Sequence, residues 1–111
     1  YLILFSMNKI SDQIAHVRAV LSKALKDVAD APPDVIKRLA VDPVIDVASP
    51  VLEFSPVLTD DDLLEIIHTG PAIGGLSSIS RRHAVGESVA DAIVATSDED
   101  AIGQLISNNS A

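Results

Sequence analysis

In the first third of the chain Ile10, Ile14, Val17, Leu21, Leu25 and Val28 recur at intervals of 4, 3, 4, 4 and 3, with His16, Arg18, Lys23 and Lys26 between them. Such intervals put the apolar side chains on one stripe of a 3.6-residue helix, and the pattern predicts an amphipathic helix. The helix is expected to stop near Ala31, because Pro32 and Pro33 cannot continue it. Pro33 suits the first turn of a second helix, from Asp34 to about Val41.

The pattern restarts after Asp42-Pro43 as Val44, Val47, Ala48, Val51 and Leu52, and Ser55-Pro56 closes it. Pro50 falls inside and removes the donor that would reach the Asp46 carbonyl, which predicts a kinked helix. Leu58 to Leu63 then carries two start signals. Thr59 with Asp62 fits a capping box, and Leu58 with Leu63 fits a hydrophobic staple. Asp60, Asp61 and Asp62 sit where the helix dipole favours anions. This helix is expected to reach about His68 and to stop at Gly70-Pro71.

A further helix is predicted through Ile73, Leu76 and Ile79 to about Arg82, weakened by Gly74 and Gly75. Val85, Val89 and Ile93 mark the next. Ser97 with Asp100 is the expected cap of the last, which should bury Ile102, Leu105 and Ile106. No segment shows a strand alternation, so the predicted class is all-α.

The apolar pattern also repeats. Val17, Val20, Leu21, Ala24 and Leu25 return 27 residues later as Val44, Val47, Ala48, Val51 and Leu52. Leu76 and Ile79 follow Ala48 and Val51 by 28, and Ala101, Ile102, Leu105 and Ile106 follow Val47, Ala48, Val51 and Leu52 by 54. Between these copies Val35-Ile36-Leu39, Leu63-Leu64-Ile67 and Val89-Ala90-Ile93 superpose as well. A repeat of about 27 residues is one helical hairpin, which buries its apolar face only by stacking on neighbours. The expected architecture is a short α-solenoid of stacked hairpins. An ordinary helical bundle is the competing reading, and the matched proline and capping positions weigh against it.

The segments Ala31-Pro32-Pro33-Asp34-Val35-Ile36-Lys37-Arg38-Leu39-Ala40, Asp46-Val47-Ala48-Ser49-Pro50-Val51-Leu52 and Ser55 to Leu64 resemble a bacterial family, the domain-of-unknown-function family numbered 2336. The resemblance covers roughly residues 16 to 111 and is most specific from Ala31 to Leu64; residues 1–15 match poorly. It implies a HEAT-like superhelix in a bacterial protein and brings no activity or catalytic residues with it.

A chain of 111 residues is one domain by size, here a single helical-repeat domain over 1–111 that is expected to be a fragment of a longer protein. Apolar residues make up 48% of it, almost all aliphatic, with Tyr1, Phe5 and Phe54 the aromatics; this suits closely packed helices. Without cysteine there is no disulfide, thiolate metal site or thiol nucleophile. Sixteen acidic against eight basic residues give a net charge of −8, which repels phosphate backbones and anionic membranes, so neither nucleic acid nor membrane is an expected partner. No Lys or Arg follows Arg82. Tyr1 to Phe5 lacks the parts of a signal peptide and the length of a span, and a cytoplasmic protein is expected. Two readings of this run stay open: Met7 as the native start, or Tyr1 to Phe5 as the end of an earlier helix.

Candidate chemistry is sparse. His16, His68 and His83 offer no pair at metal-ligand spacing. The Asp60-Asp61-Asp62 run lacks the alternating ligands and glycine of a calcium loop, and capping accounts for it. The glycines from Gly70 to Gly75 follow no strand and lack a phosphate-loop ending; close helix packing explains them better. Ser77, Ser78 and Ser80 have no nucleophile elbow and no identifiable acid partner. No catalytic residue, cofactor or metal is therefore expected. Arg81, Arg82 and His83 are the candidate partner-binding residues, since paired guanidinium groups suit acidic or phosphorylated partners; a solvated helix end is the plainer reading.

The leading functional expectation is a non-catalytic protein–protein interaction scaffold. The alternative is a small-ligand or enzymatic domain with its site in the concave face of the solenoid. Leu2 to Phe5 and Ile102 to Ile106 are strongly apolar, which predicts self-association through the ends or packing on neighbouring segments.

Overall fold

A computed structural model describes residues 2–108, with side chains from Gln13 to Asn108. Among the described residues the chain is all-helical: seven helices and no strand. Helix α1 spans Leu2–Leu25, α2 Pro33–Ala40, α3 Ile45–Phe54, α4 Asp60–Thr69, α5 Gly75–Ser80, α6 Glu87–Ala95 and α7 Glu99–Ser107.

Local chemistry accounts for most boundaries. α1 runs unbroken through Met7 and ends at Leu25, earlier than Ala31; the chain leaves it by turns in which the Val28 amide donates to the Leu25 carbonyl and the Ala31 amide to the Val28 carbonyl. Those turns carry Ala31 into the core ahead of the two prolines. Pro33 lies in the first turn of α2, and the amides of Val35 and Ile36 both donate to the Pro32 carbonyl at 3.1 Å. α3 continues through Pro50 and stops at Ser55, whose backbone turns extended. The capping box of α4 forms as expected, with Asp62 N–H donating to Thr59 Oγ1 and Thr59 N–H to Asp62 Oδ2, each at 3.1 Å. Leu58 and Leu63 are both buried.

The helix expected through Ile73 begins only at Gly75. Gly74 adopts φ +92°, which a residue with a Cβ rarely tolerates, so the chain turns there and Ile73 is left 97% exposed in the preceding loop. The cap of α7 is Asp98, not Ser97: the Asp98 carboxylate accepts from Ala101 N–H at 3.0 Å, while Ser97 sits at φ +61°. Asp100, freed from capping, accepts the Ser77 hydroxyl at 2.6 Å and ties α7 to α5. Both Ser and Asp cap well, and which one does so depends on where the preceding turn places the first free amides.

The helices pack in two rows. α3 lies between α1 and α5, α5 between α3 and α7, while α4 packs on α6 and α2 covers α3. Ile36, Leu39, Leu63, Ile67, Val89 and Ile93, from the even-numbered helices, are all buried. The odd row is buried unevenly. Val47, Ala48, Val51 and Leu52 in α3 are fully enclosed, but their counterparts Val20 and Leu21 in α1 are 54% and 44% exposed, and Ile106 in α7 is 78% exposed. α3 has a helix on each side whereas α1 and α7 end the row, so the expected burial of Ile106, and of the α1 stripe at Ile14, Val17 and Leu21, does not occur within one chain. α1 instead buries Ala19 and Ser22. The apolar side chains of Tyr1 to Phe5 lie outside the described residues. Among those described, no helix is long and apolar enough to cross a membrane.

Candidate partner-binding groove

The C-terminal end of α3 organises the polar surface. A helix ends with carbonyls that have no partner in the next turn, and it carries partial negative charge there. Arg82, from the turn after α5, meets both needs: Nη1 donates to the Leu52 carbonyl at 2.8 Å and Nη2 to the Ser55 carbonyl at 2.7 Å. Burial lowers the pKa of this guanidinium, opposed by the charge of Asp60. Even so, arginine stays protonated at any ordinary pH.

Arg81 points along the same surface differently. Its Nε pairs with Glu53 Oε1 at 2.5 Å and its Nη2 donates to Ser78 Oγ at 3.2 Å; the Ser78 hydroxyl in turn lies 2.9 Å from that of Ser49. The series Glu53, Arg81, Ser78, Ser49 stitches α5 to α3. His83 is exposed beside it. Of the three residues singled out by sequence, Arg82 is occupied by the fold, Arg81 is ion-paired but remains 39% exposed, and His83 faces solvent.

Phe54, the last residue of α3, stands 49% exposed between two open hollows. His16, Lys23, Asp46, Ser49 and Pro50 line the first, and Asp27, Glu53, Pro56, Arg81 and His83 the second; Lys26 borders the first and Arg82 the second. Lys26 Nζ lies 4.4 Å from the centre of the Phe54 ring and also pairs with Asp27 Oδ2 at 2.7 Å. A cation over an aromatic face is held by the ring quadrupole, which keeps both groups presented at the surface. The groove thus has an apolar centre with Lys26 and Arg81 on either side, each ion-paired with a carboxylate of the groove, Asp27 and Glu53, in a chain whose net charge is −8.

Sequence reasoning missed Phe54, Lys26 and Glu53. The available signal was compositional: Phe54 is one of two phenylalanines in an aliphatic chain, placed just before the Ser55-Pro56 break.

The remaining candidates serve the fold. The Asp62 carboxylate accepts the Thr59 amide in the α4 capping box and pairs with Lys37 at 3.3 Å. Ser77 donates to Asp100, and Ser80 donates to the Leu76 carbonyl at 2.9 Å. His68 is exposed on α4. Among the described residues no group of three or more His, Cys, Asp or Glu side chains is arranged to hold a metal ion. Gly75 packs closely, as expected of this run, whereas Gly70 and Gly74 take positive φ in turns.

Neither the curated proteins nor the solved structures hold a match to this chain. A family model does match: residues 47–111, from within α3 through α7 to the end, fit the model described as an uncharacterised protein conserved in bacteria, domain of unknown function 2336. The matched span starts later than the resemblance from residue 16, leaving Ala31 to Asp46 outside it, and takes in the Phe54, Glu53 and Arg81 part of the groove. Covering more than half of the sequence, it establishes that the chain belongs to this bacterial family.

Proposed function

We propose that the chain is a non-catalytic protein-interaction scaffold, built as a short HEAT-like α-solenoid, that presents the groove around Phe54 to an acidic protein segment carrying an apolar anchor. The supporting observation is Phe54 itself: a large aromatic left half exposed at the C-terminus of the most deeply buried helix, flanked by Lys26 and Arg81. Exposed aromatics on rigid supports are the usual energetic centres of interfaces, and Lys26 and Arg81, partly exposed beside their own carboxylate partners, would favour an acidic segment that shares them over the rest of this anionic surface. The serial packing of α1, α3, α5 and α7 beside α4 and α6 supports the solenoid reading, because each inner hairpin completes its core on its neighbours. The proposal includes a cytoplasmic setting and no nucleic-acid partner.

Affinity capture from the native bacterium, at low and high salt, tests it. A protein held by the wild type, weakened by salt and lost in both Phe54→Ala and Arg81→Glu is the expected result. A captured protein retained equally by both variants would remove the groove from the reading.

A further inference from the structure

We infer that the groove around Phe54 responds to pH: it takes its acidic segment more tightly when His16, in one hollow, and His83, in the other, carry protons. This inference rests on the reading of the groove as a partner site and concerns how that site is regulated.

The two histidines reach the groove from distant parts of the chain, His16 from α1 and His83 from the turn after α5. Both are exposed, and Phe54 stands between the hollows they line. The third histidine of the chain, His68, is exposed on α4 and lines neither hollow. Histidine is the side chain that ordinarily changes charge between pH 5 and 8, so placing one on each side of the anchor makes the charge of the groove depend on pH.

The groups facing each imidazole decide the sign. Around His16 the hollow holds Lys23 and Lys26 from α1 and Asp46 from α3. Around His83 it holds Asp27 from the turn after α1, Glu53 from α3, and Arg81 and Arg82 from its own segment. With both imidazoles neutral these side chains carry four positive charges and three negative ones, a net charge of +1. Most of that positive charge is already engaged: Lys26 pairs with Asp27, Arg81 pairs with Glu53, and Arg82 closes the end of α3. Protonating both imidazoles raises the net charge of the groove to +3 and adds an exposed cation to each side of Phe54. A partner's carboxylates stay ionised through the same range, so attraction grows as pH falls. By linkage, a segment that prefers the protonated groove draws protons into it on binding.

Binding of a rhodamine-labelled peptide, one leucine flanked by three aspartates on each side, measured by fluorescence anisotropy with the intact chain at pH 7.5 and pH 5.5, tests this. Affinity should rise by about three- to tenfold at the lower pH, the range two exposed ion pairs supply. His16→Gln and His83→Gln should each keep part of the gain, the double variant should bind equally at the two pH values, and His68→Gln should keep all of it. Binding that needs Phe54 but is equal at both pH values, or a gain that survives in the double variant, would overturn the inference and leave the groove reading standing. A peptide that binds the wild type at neither pH, or binds Phe54→Ala as well as the wild type, would overturn the groove reading and the inference with it.

Discussion

Arg18 on α1 grips Asp42, in the turn between α2 and α3, with two nitrogens: Nε lies 2.7 Å from Oδ2 and Nη2 3.3 Å from Oδ1. The same carboxylate accepts the Val44 amide at 2.9 Å, so one buried side chain joins three consecutive helices. Burial acts to raise the Asp42 pKa, but the Arg18 hydrogen bond, the Val44 amide and the Arg18 charge outweigh it and hold the group below its usual 3.8.

A carboxylate with a depressed folded-state pKa stabilises the fold above its unfolded value, and that contribution disappears as pH falls through the folded value. Stability should therefore decline below about pH 4. Asp42→Asn should be less stable at pH 7 and should show a shallower decline in acid. Urea unfolding at pH 7 and pH 3 measures both. An unchanged acid slope in the variant would remove Asp42 from the transition.

Arg82 and Arg81 are adjacent in sequence but unequal in role. Arg82→Met strips two hydrogen bonds from the end of α3 and should cost about 2 kcal/mol. Arg81→Met breaks a partly exposed pair and should cost about 0.5 kcal/mol. Equal losses in chemical denaturation would contradict the capping role of Arg82.

The capping box predicts a local effect. Thr59→Ala should cost about 1 kcal/mol and increase hydrogen exchange at the Asp62 amide, which Thr59 Oγ1 now accepts. Protection at Asp62 equal to that in the wild type would argue that another group satisfies the amide.

Two glycines in helices should respond oppositely to alanine. At Gly75 a Cβ would lie 2.8 Å from Pro71 Cβ and 3.2 Å from Leu52 Cδ1, so Gly75→Ala should lose about 1–3 kcal/mol through overpacking. Gly103 has open space, so Gly103→Ala should gain up to about 1 kcal/mol in helix propensity. Thermal melts in dilute solution compare them, and destabilisation of both would indicate that space is not what distinguishes the sites.

What lay in the sequence by itself was whatever short-range chemistry decides. Pro33 at the start of α2, the Thr59–Asp62 box and the stop at Gly70 depend on residues a few positions apart, and periods of three and four identify a helix whatever it packs against. The sequence also held the family and the anionic final third of the chain. Tertiary structure alone decided which apolar stripe became core. Val47 and Val20 hold the same place in the repeat, yet one is enclosed and the other 54% exposed, because burial depends on how many helices stand beside each copy. It also divided neighbouring arginines between a helix end and the surface, and left Phe54 at the rim of two hollows. Those outcomes rest on contacts between residues about 28 positions apart, such as Arg81 with Glu53 and Arg82 with Ser55, whose distances no local pattern encodes.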